Sequence, residues 1–162
     1  MISGKIRIFF IIGFLTYLFV STQTVVAQVD TDQKTHSLYE RLGGLASIAV
    51  VAYDLVEAIG GDSLISLNPD YAAVRKHVQG PYLKYQFTSL LCQMTGGPCQ
   101  YRGRGMKESH EHLKITEREW DRMVVILKDI LAKHHVPEKE TQELLEIVGS
   151  TKADIVVSVG GK

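Results

Sequence analysis

Residues 106–120, MKESHEHLKITEREW, decide the fold of this chain. Glu119 follows Thr116 by three positions, the pattern of a capping box, so a helix is predicted to begin at Thr116. His110 and His112 then lie on a short helical segment just before that helix. Residues two apart on a helix do not share a face, so one imidazole can point between helices, as a neutral metal ligand, while the other faces water. Spacing alone does not choose between them, and a histidine near a helix end is often an ordinary surface or core residue.

Apolar residues recur at helical spacing on both sides of this stretch. Further helices are predicted at 38–42, 45–59, 68–79, 81–94, 116–135 and 137–148. Residues 155–159 either extend the last helix or form a loose tail, and His134 and His135 are interpreted as favourable charges at a helix end. No strand pattern occurs outside that tail, so the sequence predicts an all-α chain.

The length and charge of the chain limit the class of protein. A chain of 162 residues fits one domain, and 18 basic side chains balance 18 acidic ones without a basic run, so nothing indicates nucleic-acid binding. Residues 1–27 show a basic start, an apolar run and small residues before a cleavage site after Ala27, which is typical of a signal peptide. The run is shorter than the roughly 20 residues that span a bilayer. Export is therefore predicted, with residues 28–36 as a leader and no stable membrane insertion after cleavage; an uncleaved anchor is the alternative.

Three ordered motifs resemble the truncated haemoglobins, most closely group I. In that family a Met-Lys-x-x-His element precedes an Ile-Thr pair that opens the next helix, as MKESH at 106–110 and Ile115-Thr116 do here. SLYERLGG at 37–44 resembles the first helix and its Gly-Gly turn, and GGPCQYRG at 96–103 resembles the second such turn. The resemblance implies a globin domain over 37–158, folded as a two-on-two sandwich of helices. Its second and fifth segments would form one antiparallel pair, and the last two segments the other.

The resemblance also implies a site. His110 would bind the iron of a non-covalent haem b. The N–H group of its second ring nitrogen would donate a hydrogen bond to a backbone carbonyl or water. The pocket would be lined by Val56, Leu83, Phe87, Leu90, Leu91, Met106 and Trp120, although the same residues would be plain core in a bundle without a cofactor. Lys84, Arg102 and Arg104 are candidates to meet the haem propionates. No Cys-x-x-Cys-His motif for covalent attachment is present. Cys92 and Cys99 either form a disulfide, which export would permit, or remain two thiols.

The distal side of this pocket departs from the family. Members often carry a tyrosine at the place of Val56 and a glutamine at the place of Phe87, whereas these positions and Leu83 are apolar here. Loss of the hydrogen bond to bound O2 should weaken its affinity by about tenfold or more. Tyr53, Tyr85 or Gln86 would restore a donor if the register differs by one residue.

The function implied is reversible binding of O2, CO or NO at haem iron. Two alternatives are an exported helical bundle without a cofactor and a haem-based enzyme that detoxifies NO or performs redox chemistry. The enzyme would need an unidentified reductase, because the chain has no reductase domain of its own.

Overall fold

The computed structural model describes residues 36–157, so the predicted signal peptide and residues 28–35 of the leader lie outside it. The prediction of an all-α chain is confirmed for the described residues. The β-type pairing within them is a single isolated bridge between Ile115 and Val156. Short 3-10 turns lie at Ile65–Leu67 and Glu111–Leu113. The α-helices are α1 (Leu38–Arg41), α2 (Gly44–Gly61), α3 (Pro69–Arg75), α4 (Gly80–Met94), α5 (Met106–His110), α6 (Glu117–Lys133), α7 (Glu138–Gly149) and α8 (Lys152–Ile155).

Side-chain caps set the starts of several helices. Ser37 and Glu40 form a capping box on α1, and Thr116 and Glu119 form the predicted one on α6. The Asn68 side chain accepts hydrogen bonds from the first turn of α3. Each cap satisfies backbone N–H groups that have no partner within the helix, which stabilises a helix by typically about 1 kcal/mol.

The core forms where α2 packs against α4 and α6. The main partner of α2 is thus α4. With the short segment at 106–110 counted as the fifth, the predicted pairing of the second segment with the fifth, α5, is wrong. The short α5 instead contacts α8, while α6 and α7 do pack together as predicted. The largest fully buried side chains are Leu55, Leu127, Leu131 and Cys92. Burying one leucine contributes roughly 1.5–3 kcal/mol, so this junction supplies much of the stability.

Ion pairs fix α2 against its neighbours. Asp54 on α2 accepts hydrogen bonds from Lys133 Nζ at 2.8 Å and His134 Nε2 at 2.7 Å, so His134 ties the end of α6 to α2 as well as closing that helix. Glu57 pairs with Lys84 of α4. By length and composition alone α2 could also cross a membrane, but the core helix of a soluble protein passes the same test.

Candidate functional site

The proximal wall of the site is built around His110, the last residue of α5. Its Nδ1 lies 2.8 Å from the carbonyl oxygen of Met106, one turn earlier. A carbonyl only accepts hydrogen bonds, so Nδ1 carries the proton and the lone pair of Nε2 remains available. Burial lowers the pKa of His110 below its ordinary value, although the bond to Met106 opposes this shift. The ring is therefore neutral at neutral pH and suited to bind a metal ion.

The structure separates the two histidines that the sequence could not separate. His110 is half-buried and lines a cavity, whereas His112 is exposed on the 3-10 turn that follows. Among residues 36–157 no cluster of three or more His, Cys, Asp or Glu side chains could hold a bare metal ion. A group held by one imidazole in an apolar cavity is the arrangement that the described residues offer.

The cavity has a volume of about 270 Å³ and lies between α4 and the proximal segment, which comprises residues 106–115. The side chains that α4 contributes are Leu83, Gln86, Phe87, Leu90, Leu91 and Met94. The opposite side is formed by Met106, Ser109, His110, Leu113 and Ile115, and α6 adds Glu119, Trp120, Met123 and Leu127. The predominantly apolar lining is suited to a large, flat, apolar group.

Six of the seven predicted pocket residues beside His110 line this cavity. Val56 does not: it is half-buried on α2, and the residues that α2 contributes are Leu55 and Ile59. Both belong to the apolar residues that recur at helical spacing in the helix predicted at 45–59. Among the lining residues that sequence reasoning missed are Tyr71 of α3, Thr151, and Ile155 of α8. Ile155 begins the segment 155–159, whose structure the sequence left open, and Thr151 lies four residues before it.

Of the three basic residues expected near the cavity mouth, Lys84 is engaged elsewhere. It is buried, pairs with Glu57, and holds its Nζ 3.6 Å from the centre of the Tyr53 ring. Arg102 donates to Gln100 at 3.2 Å, and Tyr101, which lines the cavity, donates its hydroxyl to the Arg104 carbonyl at 2.8 Å. Both arginines are exposed, and neither forms an ion pair within the described range.

A disulfide joins Cys92, near the end of α4, to Cys99 in the loop that leads to α5, with their Cα atoms 5.7 Å apart. The bridge settles the question that the sequence left open. Cys92 is fully buried, and Gly97 lies so close that a Cβ there would meet the Cys92 sulfur at 2.7 Å and would also collide with the Tyr39 ring. The bridge connects the α4 side of the cavity to the loop that precedes the proximal helix.

Comparison with known proteins identifies the class to which this fold and site belong. The sequence model of the bacterial-like globins matches residues 37–157, so the chain belongs to that family. Within it, the chain is similar to group 1 truncated haemoglobins. It is 29% identical over 120 residues to that of Nostoc commune, covering 74% of this chain and 97% of the relative. To that of Tetrahymena pyriformis it is 21% identical over 123 residues, covering 76% and 97%.

Solved structures agree on the fold. The Fe(III) form of the Tetrahymena pyriformis truncated haemoglobin superposes with a TM-score of 0.67 at 20% identity, covering 76% of this chain and all of that one. A 2/2 haemoglobin from a Synechococcus strain, in the cyanomet state and with covalently attached haem, gives 0.60 at 23% identity, covering 75% and 98%. The predicted truncated globin fold is therefore confirmed. A globin implies a haem cofactor, and the free Nε2 of His110 above an apolar cavity fits that group.

Proposed function

We propose that this haem-binding globin reversibly binds a diatomic gas, O2, CO or NO, at iron held by His110. The observation that carries the proposal is the His110 ring itself, which lines the cavity with its Nδ1 proton donated to Met106 and its Nε2 unoccupied by any described residue. When bound, haem would supply the iron at which such a gas binds. The chain supplies the neutral imidazole, fixes its tautomer and surrounds the group with apolar side chains that exclude water.

The group is proposed to be haem b, held without a covalent bond. Met106, Trp120, Phe87 and Leu90 line the cavity and supply apolar contact, which stabilises a complex at roughly 25 cal/mol for each Å² removed from water. The Synechococcus relative carries covalently attached haem. Extraction into acidified butanone distinguishes the two cases: haem b held by His110 and apolar contacts passes into the organic phase, and retention in the protein phase would refute the non-covalent assignment.

The first experiment is an absorption spectrum of the purified protein, expressed from its full sequence and loaded with haem. His110→Ala should strongly alter or abolish the Soret band and its shift with CO. His112→Ala is the matched control, because it removes an exposed imidazole two residues away and should leave both unchanged. A folded helical protein that takes up no stoichiometric haem would instead support a bundle without a cofactor.

We also propose that the chain is exported, with cleavage after Ala27. The pattern of residues 1–27 supports this, as does the disulfide between Cys92 and Cys99, because disulfides persist in oxidising compartments. Mass spectrometry of the protein from cell fractions should find a chain beginning at Gln28 outside the cytoplasm. An intact N-terminus in the membrane fraction would favour the uncleaved anchor.

A further inference from the structure

Asn68 is a buried polar residue that uses both ends of its side chain. It is 8% exposed. Its Oδ1 accepts hydrogen bonds from the backbone N–H groups of Asp70 and Tyr71, each at 3.0 Å, and so caps α3. Its Nδ2 donates to the carbonyl oxygen of Leu113 at 2.9 Å. A cap needs only an acceptor, so the second bond serves another purpose.

The two segments that Asn68 joins both border the cavity. On one side, Tyr71 of α3 lines it; on the other, Leu113 lines it and ends the 3-10 turn that follows His110 directly. Beside this bond, Lys114 Nζ lies 3.0 Å from Asp70 Oδ2, but that pair is largely exposed and contributes little. The hydrogen bond from the buried Asn68 amide is thus the stronger connection between α3 and the Glu111–Leu113 turn, called the proximal turn below.

Besides the bond from Asn68, the proximal turn is held by the buried side chain of Leu113 and, just beyond it, by the hydrogen bond from Val157 N–H to the Ile115 carbonyl. The turn has no side-chain cap of its own, and Lys114 leaves it in the left-handed conformation, with φ of 49°. His110 is the residue immediately before the turn, and among residues 36–157 its ring forms a hydrogen bond to Met106 alone. Movement of the turn therefore moves the backbone that carries the imidazole, and the bond from Asn68 opposes such movement.

We propose that Asn68 is a positioning residue, which orients His110 toward the iron by tying the Glu111–Leu113 turn to the start of α3. The inference rests on the proposed function, in which His110 is the iron ligand. Asn68 itself touches neither the iron nor the gas. Its role is to link the α3 side of the cavity to the geometry of the proximal imidazole.

Asn68→Ser tests the proposal, because a serine still caps α3 but is too short to reach Leu113. In the haem-free protein, amide exchange across residues 111–114 should accelerate about fivefold, as expected for losing one hydrogen bond. In the ferrous haem protein without gas, the resonance Raman band of the iron–histidine stretch should shift or broaden. Ser37→Ala, which removes the cap of α1, is the matched control and should leave both signals unchanged.

Asn68→Asp gives a second route if the serine variant does not fold. The carboxylate keeps the cap and suits a helix N-terminus, but it cannot donate to Leu113. An unshifted Raman band in the haem-loaded variant, together with unchanged amide exchange in its haem-free form, would overturn the positioning role while leaving His110 as the ligand. If the iron–histidine band persists in His110→Ala, the proposed function fails first, and the role of Asn68 fails with it.

Discussion

At the scale of single residues, the site depends on which polar atoms remain unpaired in an apolar cavity. Gln86 is the polar side chain that α4 contributes to the lining, and it forms no hydrogen bond to any residue between 36 and 157. Tyr53 and Tyr85, the other donors considered from the sequence, are 50% and 67% exposed and do not line the cavity. Gln86 is therefore the donor that α4 can offer to a bound gas.

Gln86→Leu should raise the O2 dissociation rate of the ferrous haem protein by about tenfold, because bound O2 loses a hydrogen bond worth about 1.4 kcal/mol. CO dissociation should change less. Stopped-flow replacement of O2 by CO measures the rate, and Gln142→Leu on the exposed side of α7 serves as the control. Equal O2 rates in Gln86→Leu and the parent protein would mean that the distal side is apolar in practice, as the residues at 56, 83 and 87 first suggested.

Residue identities on this scale were predictable only in part. Spacing placed His110 and His112 on different faces, but the resemblance to a family was needed to choose between them. The stripe of Leu55 and Ile59 was visible in the sequence, whereas the assignment of Val56 to the pocket came from the family register and is not matched by the lining of the cavity. Which side of a half-buried helix meets a cavity depends on a rotation of the helix that apolar spacing fixes only coarsely.

At the scale of helices, the junctions between elements hold the cavity walls in place. Asp62, the residue after α2, accepts hydrogen bonds from the N–H groups of Leu64 and Ile65 and from Arg122 Nε of α6 at 2.8 Å. Burial alone would raise the pKa of Asp62, but the donors from Ile65, Arg122 and Leu64 together hold that pKa below its ordinary value. The junction of α2 with α6 therefore needs an ionised carboxylate.

The depressed pKa of Asp62 predicts acid-sensitive stability. This contribution is complete above the unfolded-state pKa of about 4 and is lost as pH falls through the lower pKa of the folded protein. Asp62→Asn should lower the free energy of unfolding at pH 7 and flatten its dependence on pH below about 4. Urea unfolding of the haem-free protein between pH 2.5 and 7 measures both; a variant whose stability still falls as steeply in acid as that of the parent would contradict the prediction.

The disulfide is the second junction with a testable contribution. Joining Cys92 to Cys99 closes a loop of about eight residues, which in the chain-entropy treatment stabilises the folded state by about 2–3 kcal/mol. Replacing both cysteines by serine, or reducing the parent protein, should lower the urea midpoint accordingly. The two treatments should agree in size. Reduction without any loss of stability would show that contacts of Cys92 and Gly97 already fix this loop.

Helix boundaries were the most predictable feature, and pairings the least. Thr116 and Glu119 lie three residues apart, so their capping box could be identified from the sequence and is present in the structure. Which helix packs against α2 depends on contacts between residues far apart along the chain. The disulfide depends on the distance between two residues across a loop. A disulfide requires the two Cα atoms to lie within about 7 Å, which the spacing of Cys92 and Cys99 permits but does not require.

At the scale of the whole molecule, the cavity is closed by residues from the end of the described range. Val157 donates its N–H to the Ile115 carbonyl at 2.9 Å, and Ile155 of α8 and Thr151 line the cavity beside the proximal segment. Lys152 pairs with Glu117 at 2.6 Å. No local pattern predicted this closure, because the bridge between Ile115 and Val156 joins segments on either side of α6 and α7.

A charge in this closing segment should release haem. Ile155→Asp places a carboxylate in the apolar lining, so the rate of haem transfer to excess apomyoglobin should rise at least about tenfold, which corresponds to 1.4 kcal/mol. Asp154→Asn, at the exposed neighbouring position, is the control and should transfer haem at the parental rate. If both variants match the parent, the segment covers the cavity without contributing to retention of haem.

The position of this closing segment has a consequence for biosynthesis. The ribosome makes His110 roughly 45 residues before Ile155, an interval of about 2–9 s at ordinary rates of elongation. During that interval the imidazole and the apolar side chains of α4 exist without the part of their enclosure that the last described residues supply. Stable capture of haem therefore requires that residues 151–157 have been synthesised. A nascent chain that stops before residue 151 should hold haem weakly, however well its earlier helices have folded.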